Sequence, residues 1–229
     1  MKFKILNESN LKKASGLVII VDVLRAFTTI CYVFSNKADK AILVKGPEEG
    51  LLLKRENPNY VLIGERGGFK LPGYDYGNSP YELKKVNFSG KTIVMTTSQG
   101  TAFFYRLSKH SECKELITGS FVNASSIVNY IKQNKYKTIT FVCTDNSYQN
   151  NEDYMCVKYL ISCLKGKPLN FQEIKKDLTK HPVAERFIKK PLTKHAPYDF
   201  ELSLQLNKFS FIIKANMSTK RIILEQITL

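Results

Sequence analysis

Long apolar runs are missing from this sequence of 229 residues, and their absence excludes a membrane-spanning protein. The longest apolar stretch, residues 17–24, is far shorter than the ~20 residues that a transmembrane helix needs, and Asp22 interrupts it. The first ten residues include lysines but no continuous apolar segment, so we expect no secretory signal there. These absences predict a soluble protein of the cytoplasm.

Cysteine is also scarce. The five cysteines are odd in number and form no Cys-x-x-Cys pair, and most of them fall within apolar runs. This pattern is typical of buried thiols in a reducing compartment. We therefore expect neither a zinc site nor a disulfide framework.

Acidic residues are few compared with basic ones, 20 against 35, which gives a formal net charge of +15. Such a charge suits nucleic acid, an acidic surface or an anionic metabolite as partner. Only six of the basic residues are arginine, and the lysines are scattered, with an excess in residues 165–194. Because phosphate-clamping surfaces are typically rich in arginine, we expect a solvated lysine surface and do not expect nucleic acid as the partner.

Strand patterns followed by helix patterns recur along the chain. Residues 17–23, 92–96 and 138–143 are apolar strands, followed by helical spacing at 26–34, 101–109 and about 153–164. Shorter strands are expected at 40–45 and 115–118, which would complete two βαβ units. The pattern predicts an α/β fold, as a single domain over 1–229 or as two intimate lobes, 1–110 and 111–229.

Polar residues stand where these strands end. Ligands of open α/β sheets bind outside the carboxyl ends of the strands, so we expect Asp22, Thr96, Thr97 and Asp145 near one edge. The Gly- and Pro-rich residues 64–80 are expected to form a long ordered loop that contributes to the site. After Lys165 the chain is basic and is expected to be irregular as far as two strands, at 209–213 and 221–224.

Asp22 interrupts a buried strand, and Arg25 follows three residues later. A carboxylate in such a place needs a cation, a hydrogen-bond network or a solvent-facing strand end. One interpretation is an Asp22–Arg25 ion pair that has only a structural role. The other is that Asp22 holds a metal or acts as a nucleophile while Arg25 grips a phosphate with its planar fork.

The segment TTSQGT, residues 96–101, follows a strand and opens a helix. Hydroxyls, backbone amides and a helix N-terminus would all face an anion bound there, although a Ser/Thr helix cap explains the same pattern. Ser120 and Asn123 repeat the arrangement after the next strand. Two such loops at one edge favour a ligand.

Further charged and amide groups lie in the Gly-rich loop and at the third helix. Glycines lie close to Glu65, Arg66, Asn78 and Ser79, so the backbone there can approach a ligand closely. The alternative is that these residues belong only to surface turns. The carboxylates of Glu152 and Asp153 stand at the start of the third helix. They stabilise the positive end of the helix dipole there whether or not they also bind a ligand. Mg²⁺, which prefers a few carboxylates with water and phosphate oxygens, would suit these acids.

Six blocks, taken in order, resemble the motif series of the 2-phosphosulfolactate phosphatase family over about residues 15–165. They are VDVLRA (21–26), GERGG (64–68), GNSP (77–80), TTSQGT (96–101), GSFVN (119–123) and the Glu152, Asp153 and Cys156 triplet. The resemblance implies a Mg²⁺-dependent phosphatase with a mixed β-sheet, here a three-layer α/β/α arrangement of the repeated βα units. In its best-known setting the family converts phosphosulfolactate to sulfolactate on a route to coenzyme M.

The sequence departs from the family pattern in three places. Ser98 and Gln99 replace an asparagine, Asp145, Asn146 and Tyr148 stand where glycines are usual, and Val157-Lys158 replaces Ala-Gly. The acids and arginines remain, whereas the identity of the substrate is left open, and the altered loop at 145–151 favours the alternative of a homologue without turnover.

The working hypothesis is hydrolysis of a small anionic phosphate ester, 2-phosphosulfolactate or a related phospho-hydroxy acid. It assigns catalysis to Asp22, Arg25, Glu65 and Arg66 and Mg²⁺ binding to Asp22, Glu65, Glu152 and Asp153. It assigns phosphate binding to Asn78, Ser79, Thr96, Thr97, Gly100, Thr101, Ser120 and Asn123. An anion-binding homologue without turnover and a basic nucleic-acid-binding protein remain as alternatives, and the sequence leaves open a homodimer and an aspartyl-phosphate intermediate.

Overall fold

The computed structural model describes residues 1–110, 112–145, 150–217 and 221–229. Asn146 and Tyr148, two of the expected departures from the family pattern, lie outside this part. Ten strands of the described chain form one mixed sheet. The strands are β1 (Lys2–Leu6), β2 (Gly16–Val21), β3 (Lys40–Leu43), β4 (Val61–Arg66), β5 (Phe69–Lys70), β6 (Thr92–Thr96), β7 (Cys113–Gly119), β8 (Thr138–Cys143), β9 (Phe211–Asn216) and β10 (Ile223–Thr228).

Helices alternate with the strands through most of the chain. They are α1 (Ala26–Ser35), α2 (Pro47–Glu56), α3 (Pro80–Leu83), α4 (Gly100–Leu107), α5 (Ala124–Asn134), α6 (Glu152–Leu164), α7 (Phe171–Lys180) and α8 (Ala196–Ser203). Short 3₁₀ segments occur at Glu8–Lys13, Phe121–Asn123 and Pro182–Ala184, and a π-helical turn at Glu185–Lys189. The predicted α/β class is confirmed.

The sheet contains two parallel groups that run in opposite directions. Its strand order is β1-β8-β2-β7-β9-β10-β3-β6-β4-β5. The strands β1, β8, β2 and β7 are parallel to one another, and so are β3, β6 and β4. Between the groups, β7–β9, β9–β10 and β10–β3 all pair antiparallel. Three successive reversals leave the second group antiparallel to the first.

This topology corrects the expected βαβ units. Their strands and helices are present, but α1 joins β2 to β3 and α4 joins β6 to β7, and each connection crosses from one parallel group to the other. The ligand-binding residues after β2 and β6 were expected to lie together because parallel strands end at one edge of a sheet. Since β2 and β6 belong to opposite groups, parallel pairing is not what brings these residues together.

Both groups contribute side chains to one core on the face of the sheet that α1 covers. Nine of the ten residues of α1 are buried, as in a helix that is apolar on every side. They share one core with Val18 and Ile20 of β2 and with Met95 of β6. Phe27 of α1 packs edge-on against Phe104 of α4, with ring centroids 5.7 Å apart. The chain after β2 and the chain after β6 are thereby brought to one end of α1.

Outer helices complete the expected three layers. On the other face of the first group, α5, α6 and α7 pack against the apolar side chains of β2 and β8, among them Ile19 and Phe141. On the other face of the second group, Leu53 of α2 packs against Leu62 and Val94. A central strand such as β2 is consequently covered on both faces, which explains its continuous run of apolar residues.

Two expected irregular regions are more ordered than the sequence indicated. The supposed loop at 64–80 begins with the end of β4, forms a hairpin with β5 and ends at α3. The Lys-rich region 165–194 contains α7, the Pro182–Ala184 segment and the π-helical turn. No helix within the described residues is both long enough and apolar enough to cross a membrane.

Candidate functional site

A cavity of about 240 Å³ lies where the N-terminal ends of α1, α4 and α6 meet. Six of the residues to which the hypothesis assigned a role line it: Asp22, Arg25, Glu65, Asn78, Thr97 and Glu152. Asp145, expected at the same edge of the sheet, lines it too. Its remaining wall includes the segment before and at the start of α8, with Arg186, Phe187, Leu192, Thr193 and Ala196. Carboxylates and guanidinium groups therefore face one small space, as the hypothesis required.

Asp22 connects β2 to α1 and is buried at the cavity wall. Its Oδ1 accepts the backbone N–H of Ala26 at 3.0 Å, which satisfies one free donor of the first turn of α1. Its Oδ2 faces Gly100, where an added Cβ would lie 2.8 Å from that oxygen. Burial, and after it the charge of Asp153, raises the pKa of Asp22 to about 8.

Arg25 is held by Asp199 and not by Asp22, which corrects the ion pair considered from the sequence. Its Nη1 lies 2.6 Å from Asp199 Oδ2, and both side chains are buried. Its Nη2 donates to the carbonyl oxygen of Gly68 at 3.1 Å. The peptide bond between Leu24 and Arg25 is cis. Two fixed partners orient this guanidinium at the cavity wall.

Glu152 and Asp153 open α6 after the cap Asn151, whose side chain accepts the N–H of Tyr154. Asp153 accepts the backbone N–H groups of Val23, Thr144 and Asp145, so it ties the β2–α1 connection to the end of β8. Burial still raises its pKa, to about 6. Asp153 does not line the cavity, whereas Glu152 does.

Glu152 has a buried oxygen, Oε2, with no hydrogen-bond partner in the described part of the chain. Burial, and after it the charge of Asp153, raises the pKa of Glu152 well above its ordinary value. Asn78 Oδ1 is a second buried acceptor without a partner there. Unsatisfied buried acceptors are costly, so both atoms suit a cation, a water molecule or a ligand donor.

Glu65 fastens the β4–β5 turn to the loop before α4. Its Oε1 accepts the Ser98 N–H at 2.6 Å, and its Oε2 accepts the Gly68 N–H at 2.8 Å and the Ser98 hydroxyl at 3.1 Å. These bonds use both carboxylate oxygens and the Ser98 amide that was expected to face phosphate. Glu65 thus shapes the cavity wall by holding two loops together.

The residues 97–99 reach the cavity from the loop before α4. Thr97 and Thr101 exchange hydrogen bonds, with each backbone N–H donating to the other hydroxyl at 3.2 Å. Thr97 thus satisfies one free N–H of the first turn of α4, although the N-cap residue itself, Gln99, makes no side-chain cap hydrogen bond. The N-terminus of α4, with its partial positive charge, follows directly after the lining residues 97–99.

The fit to Mg²⁺ can be judged from these donors. Among residues 1–110, 112–145, 150–217 and 221–229, no three His, Cys, Asp or Glu side chains form a metal-binding group. Four carboxylates line the cavity, those of Asp22, Glu65, Asp145 and Glu152. Glu65 accepts backbone N–H groups with both of its oxygens, whereas Oε2 of Glu152 has no hydrogen-bond partner within the described residues. Mg²⁺ commonly uses one or two carboxylates and completes its shell with water and phosphate oxygens, so this donor set fits it.

Arg66 is not brought to the cavity. Its Nη1 donates to the Glu65 carbonyl oxygen and its Nη2 donates to Thr96 Oγ1 at 2.9 Å. Alternation along β4 explains the difference, because Glu65 and Arg66 point to opposite faces of the strand. The structure therefore gives Arg66 a contact with β6 in place of the expected contact with phosphate.

Six other expected phosphate ligands also lie behind the cavity wall. Ser79 Oγ donates to Asp199 Oδ1 at 2.6 Å, and the Ser120 and Thr28 hydroxyls are 2.7 Å apart. Asn123 donates to the carbonyl oxygen of Phe211 at 3.4 Å. The residues of the set that do not line the cavity are Ser79, Thr96, Gly100, Thr101, Ser120 and Asn123. They support the wall, and Gly100 does so by leaving room for Asp22.

Sequence reasoning missed Asp199, Arg186 and Phe187. A signal for Asp199 exists, since it shares one helical face with Ala196 and Ser203, and a carboxylate on a buried face needs a cation. Arg186 is the one arginine in the lysine-rich region 165–194. A single arginine among many lysines is a signal that the sequence itself contains.

The chain is similar to known proteins over most of its length. The sequence profile of the family described as 2-phosphosulpholactate phosphatase matches residues 3–215. A protein of Caldicellulosiruptor saccharolyticus named probable 2-phosphosulfolactate phosphatase is 36% identical over 177 residues, 74% of this chain and 71% of that protein. Proteins of the same name from Carboxydothermus hydrogenoformans and Thermotoga petrophila are 37% and 38% identical, over 64% and 66% of this chain. These two alignments cover 60% and 63% of the relatives' own length.

Proposed function

The chain belongs to the 2-phosphosulfolactate phosphatase family, and we propose that it is a Mg²⁺-dependent phosphatase acting on 2-phosphosulfolactate or a related phospho-hydroxy acid. Family membership supports the reaction class. The cavity of about 240 Å³ supports a small substrate, and the formal charge of +15 supports an anionic one, which such a surface attracts. The free thiols of all five cysteines, which fall within the described residues, support a reducing compartment such as the cytoplasm.

One observation carries the proposal: the buried Asp22 carboxylate and the fixed Arg25 guanidinium line the same cavity. Phosphoryl transfer asks a protein mainly for positioning and for stabilisation of charge on the phosphoryl oxygens. Arg25 offers donors in a planar fork to those oxygens, and the N-terminus of α4 adds partial positive charge. Asp22 would be the group that attacks phosphorus or orients the attacking water.

Mg²⁺ would be held by Asp22 and Glu152, with Asn78 Oδ1 as a further oxygen donor. When bound it would supply positive charge to the phosphoryl oxygens and offset the burial of two carboxylates. The remaining predicted ligands have other partners, since Glu65 and Asp153 accept backbone N–H groups with both carboxylate oxygens.

The test is release of inorganic phosphate from 2-phosphosulfolactate, 2-phospholactate and p-nitrophenyl phosphate, with MgCl₂ and with a chelator. We expect metal-dependent release from at least one ester, and a decrease of 10²-fold or more in D22N, about the effect of removing a principal electrostatic group. The control is D39N, which removes a carboxylate from an exposed position outside the cavity.

Three results would separate this proposal from its rivals. Phosphate release that persists in the chelator would contradict only the proposed role of Mg²⁺ and would leave the phosphatase activity standing. No turnover of any ester, together with tight binding of phosphate, would favour an anion-binding homologue. Steeply salt-dependent binding to nucleic acid that is unchanged in D22N would favour the nucleic-acid alternative.

A further inference from the structure

Two arginines of the cavity lie around a single aromatic ring. The guanidinium carbon of Arg25 is 5.7 Å from the ring centroid of Phe187, and that of Arg186 is 5.5 Å from the same centroid. Phe187 is buried, so its ring is a fixed apolar surface beside both charges. The cavity wall therefore carries two guanidinium groups that share one aromatic neighbour.

The two guanidinium groups differ in how firmly they are held. Arg25 is 8% exposed, and Asp199 fixes it at 2.6 Å. Arg186 is 46% exposed, and the nearest oxygen of Asp145 is 3.6 Å from its Nη2, which is longer than a hydrogen bond. Arg25 is thus a preformed part of the cavity wall, whereas Arg186 has a planar fork at the rim that remains available for a closer anionic partner.

The backbone around Arg186 supports such a role. The residue belongs to the π-helical turn Glu185–Lys189, and its carbonyl oxygen accepts the N–H of Leu192 at 3.1 Å. Leu192 and Thr193 continue the cavity wall. The lysine-rich region, for which the sequence suggested no purpose, thereby supplies one side of the site and places its one arginine there.

We propose that Arg186 is a specificity-determining residue that binds the second anionic group of the substrate, a carboxylate or a sulfonate, while the phosphoryl group lies against Arg25. This rests on the proposed function. A monoester with an uncharged tail would leave Arg186 without a partner beyond Asp145, so the cavity selects phosphate esters of acids. Arginine suits both kinds of oxyanion because its parallel N–H donors match two oxygens at once.

Binding of sulfolactate, the phosphate-free acid, tests the proposal without requiring turnover. Calorimetry would compare the wild-type protein with R186Q, R186K and K190Q. Lys190 is 85% exposed and follows the same helical turn, so K190Q removes an equal charge outside the cavity wall. Thermal unfolding of each variant checks that the fold is retained.

We expect R186Q to weaken sulfolactate binding roughly 10- to 100-fold, the range for loss of hydrogen bonds between charged groups. R186K should recover only part of the loss, and K190Q should change affinity less than about twofold because exposed charges are screened. In kinetics, R186Q should lower kcat/KM for 2-phospholactate and leave p-nitrophenyl phosphate within about threefold.

The inference fails if R186Q binds sulfolactate as well as the wild-type protein does, if the wild-type protein binds none, or if R186Q and K190Q lose affinity equally. The proposed function fails by a different result, which is absence of phosphate release from every ester. Sulfolactate binding that depends on Arg186 in a protein without turnover would support the subsite and reject the phosphatase activity.

Discussion

Asp199 and Arg25 are 174 residues apart in the chain, and their side chains form a buried ion pair of 2.6 Å. Asp199 is fully buried and accepts two further hydrogen bonds, from the Ser79 hydroxyl at 2.6 Å and the Tyr81 N–H at 3.0 Å. One carboxylate on α8 thus fixes the arginine of the cavity and the start of α3. The C-terminal part of the chain is therefore required for the geometry of a site whose motifs lie mostly before residue 165.

Replacing Asp199 by Asn should lower both stability and activity. Removing one partner of a buried pair leaves an uncompensated charge, so we expect the free energy of unfolding to fall by about 3–5 kcal/mol. Because Arg25 would lose its fixed orientation, KM for a phosphate ester should rise more than kcat falls, which a purely structural loss would not produce. Urea unfolding and steady-state kinetics measure the two effects.

The matched control is E8Q, which breaks the exposed pair between Glu8 and Arg106. Exposed pairs contribute about 0–1 kcal/mol, so its unfolding curve should nearly overlay that of the wild-type protein. An equal loss of unfolding free energy in D199N and E8Q would show that the buried ion pair contributes no more to stability than the exposed one.

Replacing Gly100 by Ala should displace the carboxylate of Asp22. The new Cβ would lie 2.8 Å from Asp22 Oδ2 and 3.1 Å from the Cβ of Ala26, so α1 or α4 must shift. We expect kcat to fall by roughly 10²-fold, because misplacing a reacting group by about 1 Å has an effect of that size. The assay is phosphate release under saturating substrate.

G46A serves as the comparison for that change. A Cβ at Gly46 would meet only the end of the flexible Glu48 side chain, at 3.1 Å, far from the cavity. Its kcat should match that of the wild-type protein. An active G100A enzyme would mean that the position of Asp22 is not critical.

The sequence predicted β2, β3, β6, β7 and β8 with the helices α1, α4 and α6, because the apolar spacing of these elements is regular. It contained no prediction for β1, α2, β4 or α5. It could not predict which strands pair, since the antiparallel β9 and β10 come from the end of the chain yet lie in the middle of the sheet. No local pattern predicts that Asp22 and Thr97 lie close together, because this depends on both parallel groups packing against α1.

The residues of the candidate site were likewise predictable only where a local sequence pattern marks them. Asp22 and Glu152, which the sequence singled out as carboxylates at a strand end and at the start of a helix, both line the cavity. Arg66 was misplaced because the loop assigned to residues 64–80 hid the alternation of β4, which points Glu65 and Arg66 to opposite faces. Arg186 was overlooked because a lysine-rich surrounding made it part of a charged surface.

Stability should depend on pH through Asp22. Burial, and after it the charge of Asp153, raises the pKa of this carboxyl to about 8 from its ordinary value of 3.8. Between these values the folded state keeps a proton that the unfolded state has released, so the free energy of unfolding falls as the pH rises from about 4 to about 8. D22N removes this group and should make the profile shallower, with the remaining slope coming from Glu152 and Asp153, whose pKa values burial also raises.

The measurement is urea unfolding from pH 4 to pH 9 in the presence of a chelator. D22N should be more stable than the wild-type protein at pH 9 and similar to it at pH 4, while its phosphatase activity is lost. D39N, at an exposed position, reports the effect of removing any one carboxylate. Parallel profiles for D22N and the wild-type protein would contradict the assignment.

Mg²⁺ should stabilise the folded protein, because it would bind carboxylates that only the folded chain brings together. At a concentration 100 times Kd, a ligand that binds the folded state alone contributes about 2.7 kcal/mol, which thermal unfolding detects easily. The rise in Tm with MgCl₂, relative to KCl of equal ionic strength, should disappear in D22N and shrink in E152Q. E48Q removes an exposed carboxylate and should keep the full rise. If the rise survives in both cavity variants, Mg²⁺ binds elsewhere, and the buried acceptors Glu152 Oε2 and Asn78 Oδ1 must then face water or substrate.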